Sequence, residues 1–330
     1  MPPGASGGPR VEGGRNVVPL TLHRAILIAV TSLLAVVLTS LGASAFNLPP
    51  MNLGFTTFAD GGVPPGPQPG FSLSEYVNWF RATTFRDDQG DKLPGRNRAS
   101  VLVNLHQLSA LSPFKEPLTG GLLGGDILIP LVVGNLDTTI GPPGGLRANT
   151  AGLGDLIFGP QIQWNEHKLF GMPYLHRFEV SVSAPTGEFD QRFALNPGSN
   201  LWSIEPYYTQ TLWLLPLDVE ISLRHHWLYS TENNATKIKP GHAYHVNYAA
   251  SYGLTRSLRV GVNGYYLQQL TNDAQRGRDI ENSKERAFSL GPGIVYIAPA
   301  IVFVVNYFAE FGVENRARGF RFNARLLYNF

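Results

Sequence analysis

The residues of this chain whose types could do chemistry are its eight histidines and a set of charges of both signs. His225 and His226 are adjacent, and His242 and His245 are three apart. Imidazoles bind metals or shuttle protons when their nitrogens reach one point. In an extended chain successive side chains point to opposite faces, so residues one or three apart diverge and neither pair can chelate within its own strand. Beyond the first 45 residues no G-x-S-x-G turn, H-E-x-x-H helix, P-loop or cysteine nucleophile accompanies them. Gly152-Leu153-Gly154-Asp155 with Gly159-Pro160 resembles a phosphate loop superficially. No helical pattern follows it, so it reads as a turn leading into a strand, with Asp155 inward. The reading is therefore of a non-enzyme, with no catalytic set, no cofactor and no metal motif. Ten charged residues stand out instead: Arg177, Glu179, Glu205, Asp218, Glu220, Arg224, Arg259, Glu310, Arg321 and Arg325. Facing lipid they would be costly, whereas in a polar lumen they can pair. They are the candidate lumen-lining residues, bracing the wall, lining a conducting path, or both.

The elements that must position them follow from period-two patterning. At the end of the chain Phe320, Phe322, Ala324, Leu326, Tyr328 and Phe330 share one face, and Arg321, Asn323, Arg325 and Asn329 the other. Val219, Ile221, Leu223 and Trp227 alternate with Glu220, Ser222, Arg224 and His226 in the same way, and Phe178, Val180 and Val182 with Arg177, Glu179 and Ser181. Such oily-and-wet segments have the length a tilted strand needs to cross a bilayer. Twelve are read, over 74–86, 99–111, 123–135, 154–165, 175–185, 201–214, 217–230, 242–254, 258–270, 286–297, 300–314 and 318–330. The fold class is an all-β antiparallel transmembrane barrel of about twelve strands, with ten or fourteen as alternatives. Two segments break the pattern: Asp126 to Val133 is apolar on both faces, and Val302, Val304 and Phe308 are apolar where Asn306 and Glu310 are polar. Leu214-Leu215-Pro216, Thr255-Arg256-Ser257 and Ala298-Pro299 read as tight periplasmic turns, and 231–241 and 271–285 as extracellular loops. All five tryptophans fall in the proposed strands, where aromatic girdles would place them.

Before the strands come two other regions. Arg10, Arg15 and Arg24 precede an apolar run from Ala25 to Leu41 that ends in Ala43-Ser44-Ala45. This is the order of a secretory signal peptide, residues 1–45, cleaved near Ala45. Residues 46–73 are rich in Pro and Gly yet too apolar for a simple linker. They read as an irregular arm at the periplasmic end, folding into the barrel mouth as a plug. The barrel itself is assigned to 74–330. Charged residues make up only 15% of the chain and cysteine is absent, which a closed strand ladder tolerates. Losing Arg10, Arg15, Arg24 and Glu12 from 26 basic and 24 acidic residues leaves 23 of each. A neutral mature chain argues against a nucleic-acid partner.

Several segments together resemble the SphA-like outer-membrane proteins, the family associated with the meta-pathway of phenol degradation. They are Gly152-Leu153-Gly154-Asp155 with Gly159-Pro160, Asn196-Pro197-Gly198-Ser199-Asn200, Gly241-His242-Ala243-Tyr244-His245 with Tyr248, Gly261 through Asp273, Gly291-Pro292-Gly293, and Glu310 with Glu314-Asn315-Arg316. The run Gly264-Tyr265-Tyr266-Leu267-Gln268-Gln269-Leu270-Thr271-Asn272-Asp273 is the most specific. The resemblance implies a bacterial outer-membrane protein linked to aromatic catabolism, without established catalytic residues. The closing Phe322, Tyr328 and Phe330 resemble the C-terminal signal for outer-membrane insertion. The expected partners are outer-membrane lipid, the barrel assembly machinery and a small hydrophobic substrate. The expected function is a passive channel for small hydrophobic compounds, aromatics among them. The alternatives are a non-conducting structural or surface-binding barrel and, third, a lipid-modifying barrel enzyme.

Overall fold

The computed structural model describes residues 48–330, so the leader expected over 1–45 lies outside the described residues. Twelve antiparallel strands span the wall: β1 (Gly70–Phe85), β2 (Asn97–Lys115), β3 (Leu122–Thr138), β4 (Leu156–Trp164), β5 (Met172–Ala184), β6 (Ser203–Leu214), β7 (Val219–Ser230), β8 (Ala243–Gly253), β9 (Leu258–Gln269), β10 (Arg286–Ala298), β11 (Ile301–Glu314) and β12 (Ala317–Asn329). Each pairs with its sequence neighbours, and β1 pairs with β12 from Ser72↔Asn329 to Phe85↔Ala317. The sheet therefore closes on itself without an edge, the condition for spanning lipid with strands. The strands run from 9 to 19 residues, at or beyond the length a tilted strand needs.

Alternation decides which side chains face in. Exposed Val262, Ile294, Phe303 and Phe322 lie on the outer face, and buried Glu220, Arg224, Asn263, Asn306 and Arg325 on the inner one. Connections alternate in length as expected. One end carries 116–121, 165–171, 215–218, 254–257 and 299–300; the other carries 86–96, 139–155, 185–202, 231–242, 270–285 and 315–316. The two-residue Asn315-Arg316 departs from the long-loop rule at its end. It is covered by a neighbouring loop, Asn315 Nδ2 donating to the Asn282 and Lys284 carbonyls at 2.6 and 2.9 Å.

Three expectations are corrected. The segments 231–241 and 271–285 are not plain loops: Ile238–Lys239, Ala274–Gln275 and Arg278–Asp279 form a small three-stranded sheet at the loop end. Asp218 does not begin a strand. It closes the 3-10 turn Leu215–Leu217 in the left-handed conformation, φ 51°, because a two-strand reversal needs such a residue. The tryptophans do not all serve a girdle either: Trp202 precedes β6, and Trp213 is buried, its indole N–H donating inward to the Gly62 carbonyl at 3.0 Å.

Candidate functional site

The chain ahead of β1 runs inside the barrel. Residues 48–69 have no extended periodicity, so their backbone groups must find partners on the wall rather than in a ladder. At the loop end the Leu48 backbone N–H donates to Glu285, and Leu48, Met51 and Leu53 pack with Leu228, Ala243, Leu267 and Val313. Midway, Asn247 accepts from the Gly54 N–H at 3.0 Å and donates to the Asn52 carbonyl at 2.8 Å. At the turn end Gln163 and Asn165 donate to the Gly61 and Pro67 carbonyls at 3.0 and 2.6 Å. The sequence reading placed this arm at the turn-end mouth; it threads the lumen from one end to the other.

Asp60 is the centre of its polar seat. Arg224 of β7 grips its carboxylate in a two-pronged pair, 2.5 and 2.7 Å, while Thr209 of β6 donates at 2.8 Å. Arg325 of β12 stands 3.6 Å away and also donates to the Phe58 carbonyl at 2.9 Å. The Tyr207 ring lies under the Arg224 guanidinium, 4.2 Å from its centroid, a cation–π contact strengthened by burial. Glu220 accepts from the Ala59 N–H at 2.9 Å and from Ser251 at 2.7 Å. Charges from two separate strands, β7 and β12, together with the Thr209 hydroxyl of β6, thus converge on a three-residue stretch of the arm.

The apolar seat explains the two segments that broke the alternation. Phe58 is fully buried among Ala249, Val295, Val302 and Val304, and Leu53 packs on Phe308. Phe55 lies against Tyr76 and Leu105, with Leu128 beside them. Val302, Val304, Phe308 and Leu128 face inward and are apolar because the arm's apolar side chains meet them there. Gly261 and Gly293 are directly paired across β9 and β10. A Cβ at Gly293 would come within 2.3 Å of the Phe58 ring, and one at Gly261 within 2.8 Å. The two glycines form the notch that Phe58 fills.

The sequence-predicted charges fall into three sets. Glu220, Arg224 and Arg325 hold the arm. Others brace the wall. Arg177 lies 3.9 Å from Glu179, which accepts from the Tyr207 hydroxyl and from Ser181. Glu310 accepts from Tyr265 at 2.6 Å, and Arg321 donates to Asn78 at 2.7 Å beneath Phe80. Arg259 pairs at 2.8 Å with Asp218, whose exposed side chain belongs to the turn-end rim rather than the lumen wall. Glu205 meets histidines, described next. Phe322, Tyr328 and Phe330 face outward and are exposed. Asp60, Phe58, Asn247, Gln163 and Asn306 carry much of the seat yet were missed. Only the arm's excess of apolar residues hinted at them.

Histidines one or three apart do diverge. His226 and His245 face in, whereas His225 faces out, 2.7 Å from the Tyr244 hydroxyl. Taken strand by strand neither pair converges; what a single strand could not show is the register, which sets His226 of β7 opposite His245 of β8. Their rings stack 4.0 Å apart, and Glu205 of β6 reaches both, 2.5 Å from His226 Nδ1 and 3.2 Å from His245 Nε2. On the outer face His176 joins His167, Tyr174 and Tyr208 in a separate polar group.

Residues 82–326 match the model of the family described as "Putative MetA-pathway of phenol degradation". The chain belongs to this family. Among curated proteins none matches its sequence. An outer membrane channel from Pseudomonas putida F1 shares its fold with a TM-score of 0.68, at 15% identity over 80% of this chain and 96% of that one. A Pseudomonas aeruginosa FadL homologue aligns with a TM-score of 0.40, at 11% identity over 87% and 100% of the two chains. The transport unit of the Escherichia coli autotransporter AIDA-I aligns with a TM-score of 0.39, at 10% identity over 80% and 91%.

Proposed function

We propose that this family member is a bacterial outer-membrane channel that admits small hydrophobic compounds, aromatics included, by passive diffusion, with residues 48–69 as its plug. The observation that carries this reading is the composition of the surface that the arm covers. It is an apolar track of Tyr76, Leu105, Ala249, Val295, Val302, Val304 and Phe308, interrupted by wall charges of both signs. Displacing the arm would uncover a path that wets an apolar solute on one side and solvates a hydroxyl on the other. The family's description names phenol degradation, and the Pseudomonas putida protein that shares the fold is an outer membrane channel; both support the reading. The long-loop end is then extracellular and the short-turn end periplasmic.

The test is uptake of a radiolabelled neutral aromatic at limiting concentration by cells with an intact lipopolysaccharide surface. Cells expressing the chain should take it up several-fold faster than cells without it, and a charged analogue of equal size should gain less. Equal uptake with and without the chain would contradict the proposal. A surface-binding barrel is the second reading. What favours it is the small sheet of 238–239, 274–275 and 278–279, which gives the loop end an ordered face.

A further inference from the structure

The wall carries a group of side chains that neither bracing nor the arm's seat uses. Glu205, His226 and His245 come from three adjacent strands and point inward, and their ligand atoms all lie within 4.8 Å of one another. The two rings are fully buried, while the Glu205 side chain keeps 16% exposure toward the lumen. Elsewhere around them polar groups are tied into networks: Thr211 with Ser222, Tyr207 with Glu179, Ser251 with Glu220. These histidines are not. Among the described residues, the ion-pair contacts of both rings go to Glu205; His245 Nε2 makes a hydrogen bond there, while His226 Nε2, His245 Nδ1 and, despite its close approach to Glu205, His226 Nδ1 have no hydrogen-bond partner.

We propose that Glu205, His226 and His245 form a binding site for a divalent transition-metal cation of the zinc class. Two imidazoles and one carboxylate are a ligand set that zinc favours, with bonds of about 2.0–2.2 Å. Ligand atoms around such an ion stand roughly 3.3 Å apart. The 3.2 Å separation of Glu205 from His245 already fits that spacing, and the 2.5 Å separation from His226 needs an outward shift of the carboxylate. The carboxylate is on the open side of the group, so this shift opens the site rather than crowding it. Three protein ligands leave a further position for water, which the lumen supplies. Stacked imidazoles sharing one carboxylate oxygen compete for a single acceptor, whereas a cation between the three gives each nitrogen lone pair its own partner. The site lies in the loop-end half of the barrel. His245 is two residues along its strand from Asn247, which holds the arm at Asn52 and Gly54. The cation would cross-link β6, β7 and β8 beside the place where the arm passes.

The experiment uses the full mature chain in detergent, purified with a tag free of histidine and stripped with chelator. Zinc chloride is titrated against a chromophoric competitor, and cobalt chloride is added separately to read its visible absorption. One zinc per chain is expected, with a cobalt spectrum of four- or five-fold coordination. His226→Asn, His245→Asn and Glu205→Gln each put a neutral amide in place of a ligand. Each should weaken binding more than about 100-fold, beyond the 10–100-fold loss expected for an outer partner. Folding of every variant is checked by heat-modifiable gel migration, and His226→Gln and His245→Gln replace any variant that does not fold. A folded chain that binds no zinc would overturn the proposal, as would binding unchanged in the His245 variants. Binding lost in His176→Asn instead would place the metal on the outer His167–His176 pair and equally overturn it.

Discussion

At the scale of single residues, the arm's hold on the wall concentrates at Asp60. Its carboxylate answers Arg224 and Arg325 from opposite sides of the barrel, all three groups being buried. Removing one partner of a buried ion pair leaves the other charge uncompensated, at a cost of about 3–5 kcal/mol. Asp60→Asn is therefore expected to release the arm. Amide exchange should quicken across residues 53–62 while the strands keep their protection. Glu285 gives a second test, outside the strands. Burial pushes its carboxyl up to about 7, against the pull of Arg316 and with Asp273 adding to the rise. A raised carboxyl contributes stability that is full below its ordinary value of 4.5 and is lost as pH rises through about 7. Between pH 5 and pH 8 the Tm of the native chain should fall further than that of Glu285→Gln, and parallel curves would refute this. Alternation alone made Arg224 and Arg325 legible as inward. Asp60 was not, because the arm has no period from which to read a facing direction.

Among the elements, the wall was almost wholly legible. Every one of the twelve strand segments corresponds to an observed strand, since a tilted barrel strand must alternate oily and wet along its whole length. What alternation cannot supply is register between strands. His226 opposite His245 and Gly261 opposite Gly293 are properties of pairs, and neither strand alone announces its partner. The same limit explains Val302, Val304 and Phe308. They looked like failures of the pattern and are the arm's apolar seat. The glycine notch predicts that Gly293→Ala unseats Phe58, because the added methyl would stand 2.3 Å from its ring. The barrel should still fold and keep its heat-modifiable migration, while Phe58-side amides lose protection. Phe58→Ala should do the same at a cost of roughly 3–5 kcal/mol in arm binding. Unaltered exchange in both variants would show that the notch does not hold the arm.

For the molecule as a whole, closure and occupancy are separate facts. The ladder from β1 to β12 closes without help from the arm: strand joins strand around the full circle. The arm adds a second layer of contacts inside, with many hydrogen bonds between side chain and backbone, and among the described residues its covalent link to the wall is its own continuation through Gln68 and Pro69 into β1. On the plugged-channel reading, this separation would let the arm leave while the ladder stays closed. The sequence carries no cysteine, so labels can be placed at will. The most direct measurement is single-channel conductance in planar bilayers of the native mature chain and of the chain lacking residues 48–67. If the arm closes the lumen, the native chain should be silent or show only brief small steps, and the shortened chain should show sustained steps. Equal conductance in both, or silence in a correctly folded shortened barrel, would contradict the plugged-channel reading.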